Sequence, residues 1–177
     1  MADYLLDTNI ISIWYDTNRP EHAKVVGRVN SARQPDPQTE YVSRFFVSVV
    51  TLGEIEYGHR VAAVRDPAKQ AAFARFVRQQ CPVVLDMTPA AAEEYGELRA
   101  WLFNNCAPAH KKSKVKRAEE LVDPSTGKEL GIQENDIWIA AQAKAYNLVL
   151  VTHDSRGNFG KVLAQFAATL TAEDWAA

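Results

Sequence analysis

The stretch ENDIWIAAQAKAYNLVLVTHD, residues 134–154, decides the fold. Asn135 is a favoured helix N-cap and puts Asp136 in the first turn. Ile137, Ala140, Ala141 and Lys144 follow at helical spacing, which predicts one narrow inward stripe. Tyr146-Asn147 ends that helix, and Leu148-Val149-Leu150-Val151 is a short continuous apolar run of the kind a parallel strand covered on both faces carries. The strand stops at Thr152-His153-Asp154. One acid therefore stands at a helix start and another just past a strand end. In an open parallel sheet both places fall on the carboxyl edge, where sites form.

Working outward, the same grammar recurs. Tyr4-Leu5-Leu6 reads as a strand ended by Asp7, and a helix follows with Thr8 or Asn9 near its cap; Asp7 itself reads equally as that helix's cap and as a site acid. Residues 45–49 form a second buried strand and 50–58 a helix on which Ser48, Thr51 and Glu54 share a face, with Glu56 about 200° round as an internal control. Asp66-Pro67 and Thr88-Pro89 open two further helices. Between those helices Cys81–Leu85 is a third strand, where Pro82 early in it marks an edge or a strand start. Glu21–Ser31 reads as a helix and Gln34–Ser43 as an exposed loop, disordered or a contact surface. Near the end we expect a short helix over 161–168, an edge strand at 169–171 and a frayed terminus.

The chain has 177 residues, 47% hydrophobic and 24% charged, with a formal charge of -2. That length suits one domain, with about 70% of the unfolded surface buried. No apolar run approaches the ~20 residues needed to span a bilayer, so no membrane association is expected. Cys81 and Cys106 lack metal-ligand or CxxC spacing and read as free thiols of a reducing, cytoplasmic compartment. Nucleic-acid contact would have to come from a local patch, because the global charge offers none. The run holding Lys111, Lys112, Lys114, Lys116 and Arg117 has no acid in it: it reads either as a solvated loop or as a phosphate-contacting arm without base-specific readout.

Asp7, Glu54, Asp136 and Asp154 thus all map to one sheet edge. Four such carboxylates could not all ionise unpaired, and a divalent cation would neutralise them. Carboxylates with no His or Cys nearby favour Mg²⁺ or Mn²⁺ over zinc, and phosphodiester hydrolysis is the matching chemistry. The motifs of dinucleotide-binding, P-loop, α/β-hydrolase and zincin proteins are absent. His153 reads as a loop residue that could help to position a substrate or a water.

LLDTN at 5–9, SVVTLGEIEYG at 48–58, ENDIWIAA at 134–141 and LVTHD at 150–154 with a following Phe159 resemble, in order, the PIN-domain ribonucleases, and among them bacterial VapC-type toxins of toxin–antitoxin pairs. The likeness runs from Tyr4 to about Leu163. It implies a three-layer α/β/α fold with a small central parallel sheet, and a Mg²⁺- or Mn²⁺-dependent endoribonuclease. It further implies a homodimer and an antitoxin partner that covers the acid site. By position it makes Asp7 and Asp136 the principal metal ligands, Glu54 the third acid and Asp154 the fourth, with Thr8, Ser48 and Thr152 as orienting groups. The segments 30–44 and 104–131 are longer than a compact chain of that type carries and read as loop insertions bearing on RNA choice, dimer geometry and antitoxin docking. A PIN module that binds nucleic acid or regulates without cleaving is the alternative, and a phosphatase or DNA nuclease on the same site a weaker one.

Overall fold

The computed structural model describes residues 2–108, 117–153, 162–163, 165 and 170–177. Among these, β1 (Tyr4–Leu6), β2 (Phe45–Ser48), β3 (Val83–Leu85), β4 (Val149–Val151) and β5 (Ala172–Glu173) form one sheet in the order β3-β2-β1-β4-β5. Every pairing is parallel, with Leu6 opposite Val47 on one side and Val151 on the other. The helices are α1 (Thr8–Tyr15), α2 (His22–Ala32), α3 (Val49–Val61), α4 (Pro67–Gln80), α5 (Pro89–Cys106) and α6 (Glu134–Ala145).

Strand alternation sorts the core into two layers. Leu5, Phe46 and Leu150 point to one side and pack with Leu98 and Leu102 of α5 and Ile137 and Ala140 of α6. Leu6, Phe45, Val47 and Val151 point to the other and pack with Ile10 and Trp14 of α1, Val25 of α2 and Phe73 and Val77 of α4. Neighbouring residues on a strand face opposite ways, so Leu5-Leu6 feeds both layers at once. The result is the expected α/β/α sandwich.

Several local expectations shift. Asp7, not Thr8 or Asn9, caps α1, because its carboxylate reaches the Thr8 N–H. Gln133, not Asn135, precedes α6, since Asp136 at the third helical position reaches back to the Gln133 N–H at 2.6 Å. The stripe on α6 is not narrow: Ile139, Gln142 and Ala143 are buried with Ile137, Ala140 and Ala141, because the helix is wedged between the sheet and α5. The 34–43 loop is held rather than loose, with Asp36 accepting from the Gln38 and Thr39 N–H groups and Arg44 bonded to Asp3. In the 104–131 segment Ala118, Leu121 and Leu130 belong to the core.

The last strand falls at 172–173, not 169–171, and the terminus is not frayed. Trp175 is 3% exposed and sits edge-on against Tyr4 at 4.9 Å and Phe45 at 6.0 Å. An indole of this size supplies enough apolar area to dock a chain end that reads as polar. The helix expected over 161–168 lies mostly outside the described residues.

Candidate active site

Asp7 leaves β1 at its carboxyl end and is 5% exposed. Its Oδ1 accepts the Thr8 N–H at 2.6 Å, and its Oδ2 accepts the Thr152 hydroxyl at 2.8 Å from the end of the neighbouring strand. Burial pushes its pKa from 3.8 up to about 6; the two hydrogen bonds work against that rise, and the charge of Glu54 adds to it. Among the described residues neither Asp7 nor Glu54 forms an ion pair. A nearly buried acid beside another acid, with no cationic side chain paired to it, is an arrangement found at functional sites.

Glu54 projects from α3 and is held twice, by the Thr8 hydroxyl and by the Asn135 side-chain amide at 2.9 Å. Asn135 is thus a bridge between α6 and α3 rather than a cap. Glu56 confirms the contrast: it is committed to Arg60 and to Gln70 away from the edge. Ser48 contributes indirectly, its Oγ accepting from the Val50 N–H at 2.9 Å and so capping the helix that carries Glu54.

Asp7 and Asp136 line one cleft of about 50 Å³ with Asn9, Gly131, Ile132, Thr152 and His153. A broader groove of about 820 Å³ runs from Thr8 and Glu54 between α1, α3 and α4, past Tyr15, Arg19, His59 and Lys69. Asp154 and the basic residues Lys111, Lys112, Lys114 and Lys116 lie outside the described residues. Arg117 is exposed ahead of a 3₁₀ turn at 118–120.

Among the described residues no three His, Cys, Asp or Glu side chains form a ready metal cluster. The donor chemistry nevertheless fits a hard divalent cation. The acids facing the cleft offer carboxylate oxygen, the adjoining groups are hydroxyls and amides, and His153 turns its Nδ1 to Asp174. A cation there would also offset the burial and the neighbouring negative charge that push Asp7 up.

Asn9, Asn135 and Asp174 are the residues that sequence reading left out of the site, whereas His153 was read as a loop residue that could help to position a substrate or a water. The one available signal was position, since Asn135 adjoins Asp136 and Asn9 closes the LLDTN motif.

The fold and this edge define a class: the chain belongs to the PIN domain family, whose model matches residues 4–162. Over 175 residues it is 27% identical to the Ribonuclease VapC2 of Haemophilus influenzae, covering 99% of each chain. Two solved structures share the fold. One is VapBC2 from Rickettsia felis bound to a fragment of its promoter DNA, with a TM-score of 0.62, 19% identity, and coverage of 97% of this chain and 98% of that one. The other is VapBC-1 from nontypeable Haemophilus influenzae, with a TM-score of 0.62, 23% identity and 98% of each chain covered. Among the described residues no helix is long and apolar enough to cross a membrane.

Proposed function

We propose that this chain is a metal-dependent endoribonuclease of VapC type, the toxin of a toxin–antitoxin pair acting in the cytoplasm. The observation that carries the reading is Asp7: nearly buried, raised to about 6, next to Glu54 and sharing a cleft with Asp136. The ribonuclease name of its curated relative supports the substrate class. Solved neighbours that are VapBC complexes support an antitoxin partner.

Asp7 and Asp136 would hold Mg²⁺ or Mn²⁺, with Glu54 and Asp154 as the further acids. Such an ion supplies Lewis acidity, making water a better nucleophile and offsetting charge on the leaving oxygen. The chain's own residues do the positioning. Thr152 and the Thr8 N–H fix both oxygens of Asp7, while the Thr8 hydroxyl and Asn135 fix both of Glu54. Water adds to phosphorus in line, the bond to the 3′-oxygen breaks, and a 5′-phosphate and a 3′-hydroxyl result. We also propose a homodimer, as the family likeness implies, and assign the basic 111–117 run to phosphate contact.

Cleavage of mixed cellular RNA in Mg²⁺ and then Mn²⁺, comparing wild type with Asp7→Asn, tests the proposal. Discrete fragments with 5′-phosphate ends that disappear in the variant and in EDTA are expected. Intact RNA with a folded wild-type protein in both ions overturns it, and RNA binding unaffected by EDTA would then identify a binding module.

A further inference from the structure

The two helical layers differ in charge. Residues 8–33 and 65–80, which form α1, α2 and α4 with their flanking turns, carry eight Lys and Arg against three acids, in a chain that has 20 against 22. The three helices share one core through Trp14, Val25 and Phe73 and so make up a single layer. All eight cations are exposed, and among the described residues none of them is in an ion pair. On the other layer the cations of α5 and α6 are occupied: Arg99 is bound to Glu134, and Lys144 to Glu94 and Glu97. The basic layer escapes a reading along the chain because its cations are dispersed over two segments instead of forming a run.

The wide groove joins this layer to the acids. It begins at Thr8 and Glu54, and Arg19, Lys69, Tyr15 and His59 stand along it. Asp16 and Asp66 line it too, but each serves local backbone: Asp16 accepts the Asn18 N–H at 3.1 Å, and Asp66 caps α4 through the Lys69 N–H at 2.9 Å. The cleft holding Asp7 and Asp136 has only about 50 Å³, far below the ~300 Å³ at which small-molecule sites begin, whereas the groove has about 820 Å³. A strand with one phosphate at the acids has to continue outside the cleft, and the groove is continuous with them at Glu54. Exposed cations beside a ring such as the half-buried Tyr15 are the pairing that holds single-stranded nucleic acid, charge for the backbone and a flat surface for a base. An acidic protein segment would meet the same cations, but Glu54 at the head of the groove would repel it.

We infer that single-stranded RNA runs from the acids along this groove, with backbone phosphates on Arg19 and Lys69 and the remaining cations of the layer supplying the attractive field. The choice of RNA rests on the ribonuclease reading above, but the surface can be tested by binding, without cleavage.

The test is fluorescence anisotropy of a labelled single-stranded RNA with the full-length protein in EDTA, over a range of KCl concentrations. Arg19→Gln and Lys69→Gln should each reduce the slope of log affinity against log salt by about 0.7, the value for one single-strand phosphate contact, and so weaken binding about fivefold at about 0.1 M salt. The double variant should lose about 1.4 in slope and about 25-fold in affinity. Arg60→Gln removes the same charge from α3, but Arg60 is already paired with Glu56 and lies off the groove, so its slope should match wild type. A double variant with the wild-type slope, an Arg60→Gln loss as large as that of Arg19→Gln, or wild-type binding too weak to measure at the lowest salt overturns the inference. If wild type still cleaves RNA in any of these cases, the ribonuclease reading stands and the groove is left to a protein partner. Slopes reduced as expected, with no cleavage in Mg²⁺ or Mn²⁺, would instead sink the ribonuclease reading and keep the groove as a nucleic-acid surface.

Discussion

Asp7→Asn should stabilise the metal-free protein, and by an amount that depends on pH. Asp7 has its pKa raised from 3.8 to about 6 by burial, with a smaller contribution from Glu54. Below the unfolded value the group is neutral in both states and costs nothing. As pH rises toward about 6 the unfolded chain ionises first, and above that the folded protein carries the full cost of an ionised, buried carboxylate. At about 1.4 kcal/mol per tenfold change in acidity, the cost at pH 7.5 is about 3 kcal/mol. The amide removes that charge with little loss of bonding. Its oxygen still accepts the Thr8 N–H, and its NH₂ donates to the Thr152 oxygen once that hydroxyl turns its own proton outward. For a chain of this size such a gain is about 6–12 °C in Tm.

Urea or thermal denaturation of both proteins in EDTA from pH 4 to 8 measures the difference, in which titrations common to the two cancel. The gap should be small at pH 4, widen through pH 6 and level off above pH 7. Adding Mg²⁺ should then favour wild type, by about 2.7 kcal/mol at an ion concentration 100 times Kd, and do less for the variant. A variant less stable than wild type at pH 7.5 in EDTA, or a gap of the same size at pH 4 and 7.5, would refute the reasoning.

Three further outcomes are expected. Asn135→Ala leaves Glu54 held by Thr8 alone and should cut the cleavage rate by about tenfold, a loss of roughly one hydrogen bond, with an unchanged circular dichroism spectrum. Trp175→Ala empties the space against Tyr4 and Phe45 and should cost about 3–5 kcal/mol in urea denaturation; a loss under 1 kcal/mol would mean the terminus is not docked. Burial pushes the Cys81 thiol up to about 12 and raises Cys106, with Asp123 adding to the latter, so N-ethylmaleimide at pH 8 should label both only after unfolding, as mass spectrometry will show.

What could be read from sequence was whatever rests on short-range pattern. Continuous apolar runs located β1 to β4, and Asp66 and Thr88 cap α4 and α5 as their place before a proline suggests. What could not be read depends on partners far along the chain. Asn135 has cap chemistry, yet it lies inside α6 and its amide N–H donates to Glu54, 81 residues away, a partner that exists only once α3 and α6 pack. Likewise the terminus reads as frayed, but burial of one indole fixes Asp174 in register with His153. Asp7 was legible as two alternatives, cap or site acid, and it is the cap while it lines the cleft.

That double duty explains why acids gather at this edge. The amino ends of α1, α3 and α6 all meet it, with Asp7 as cap of the first, Ser48 as cap of the second and Asp136 in the first turn of the third. Their unpaired N–H groups and positive dipole ends favour negative charge, each by about 0.3–1 kcal/mol. Yet ionised Asp7 remains disfavoured by a net of roughly 3 kcal/mol even with its hydrogen bonds to the Thr8 N–H and Thr152 in place. Helix ends therefore suffice to assemble the carboxylates but not to neutralise them, and the remaining imbalance is what the divalent ion proposed above would offset.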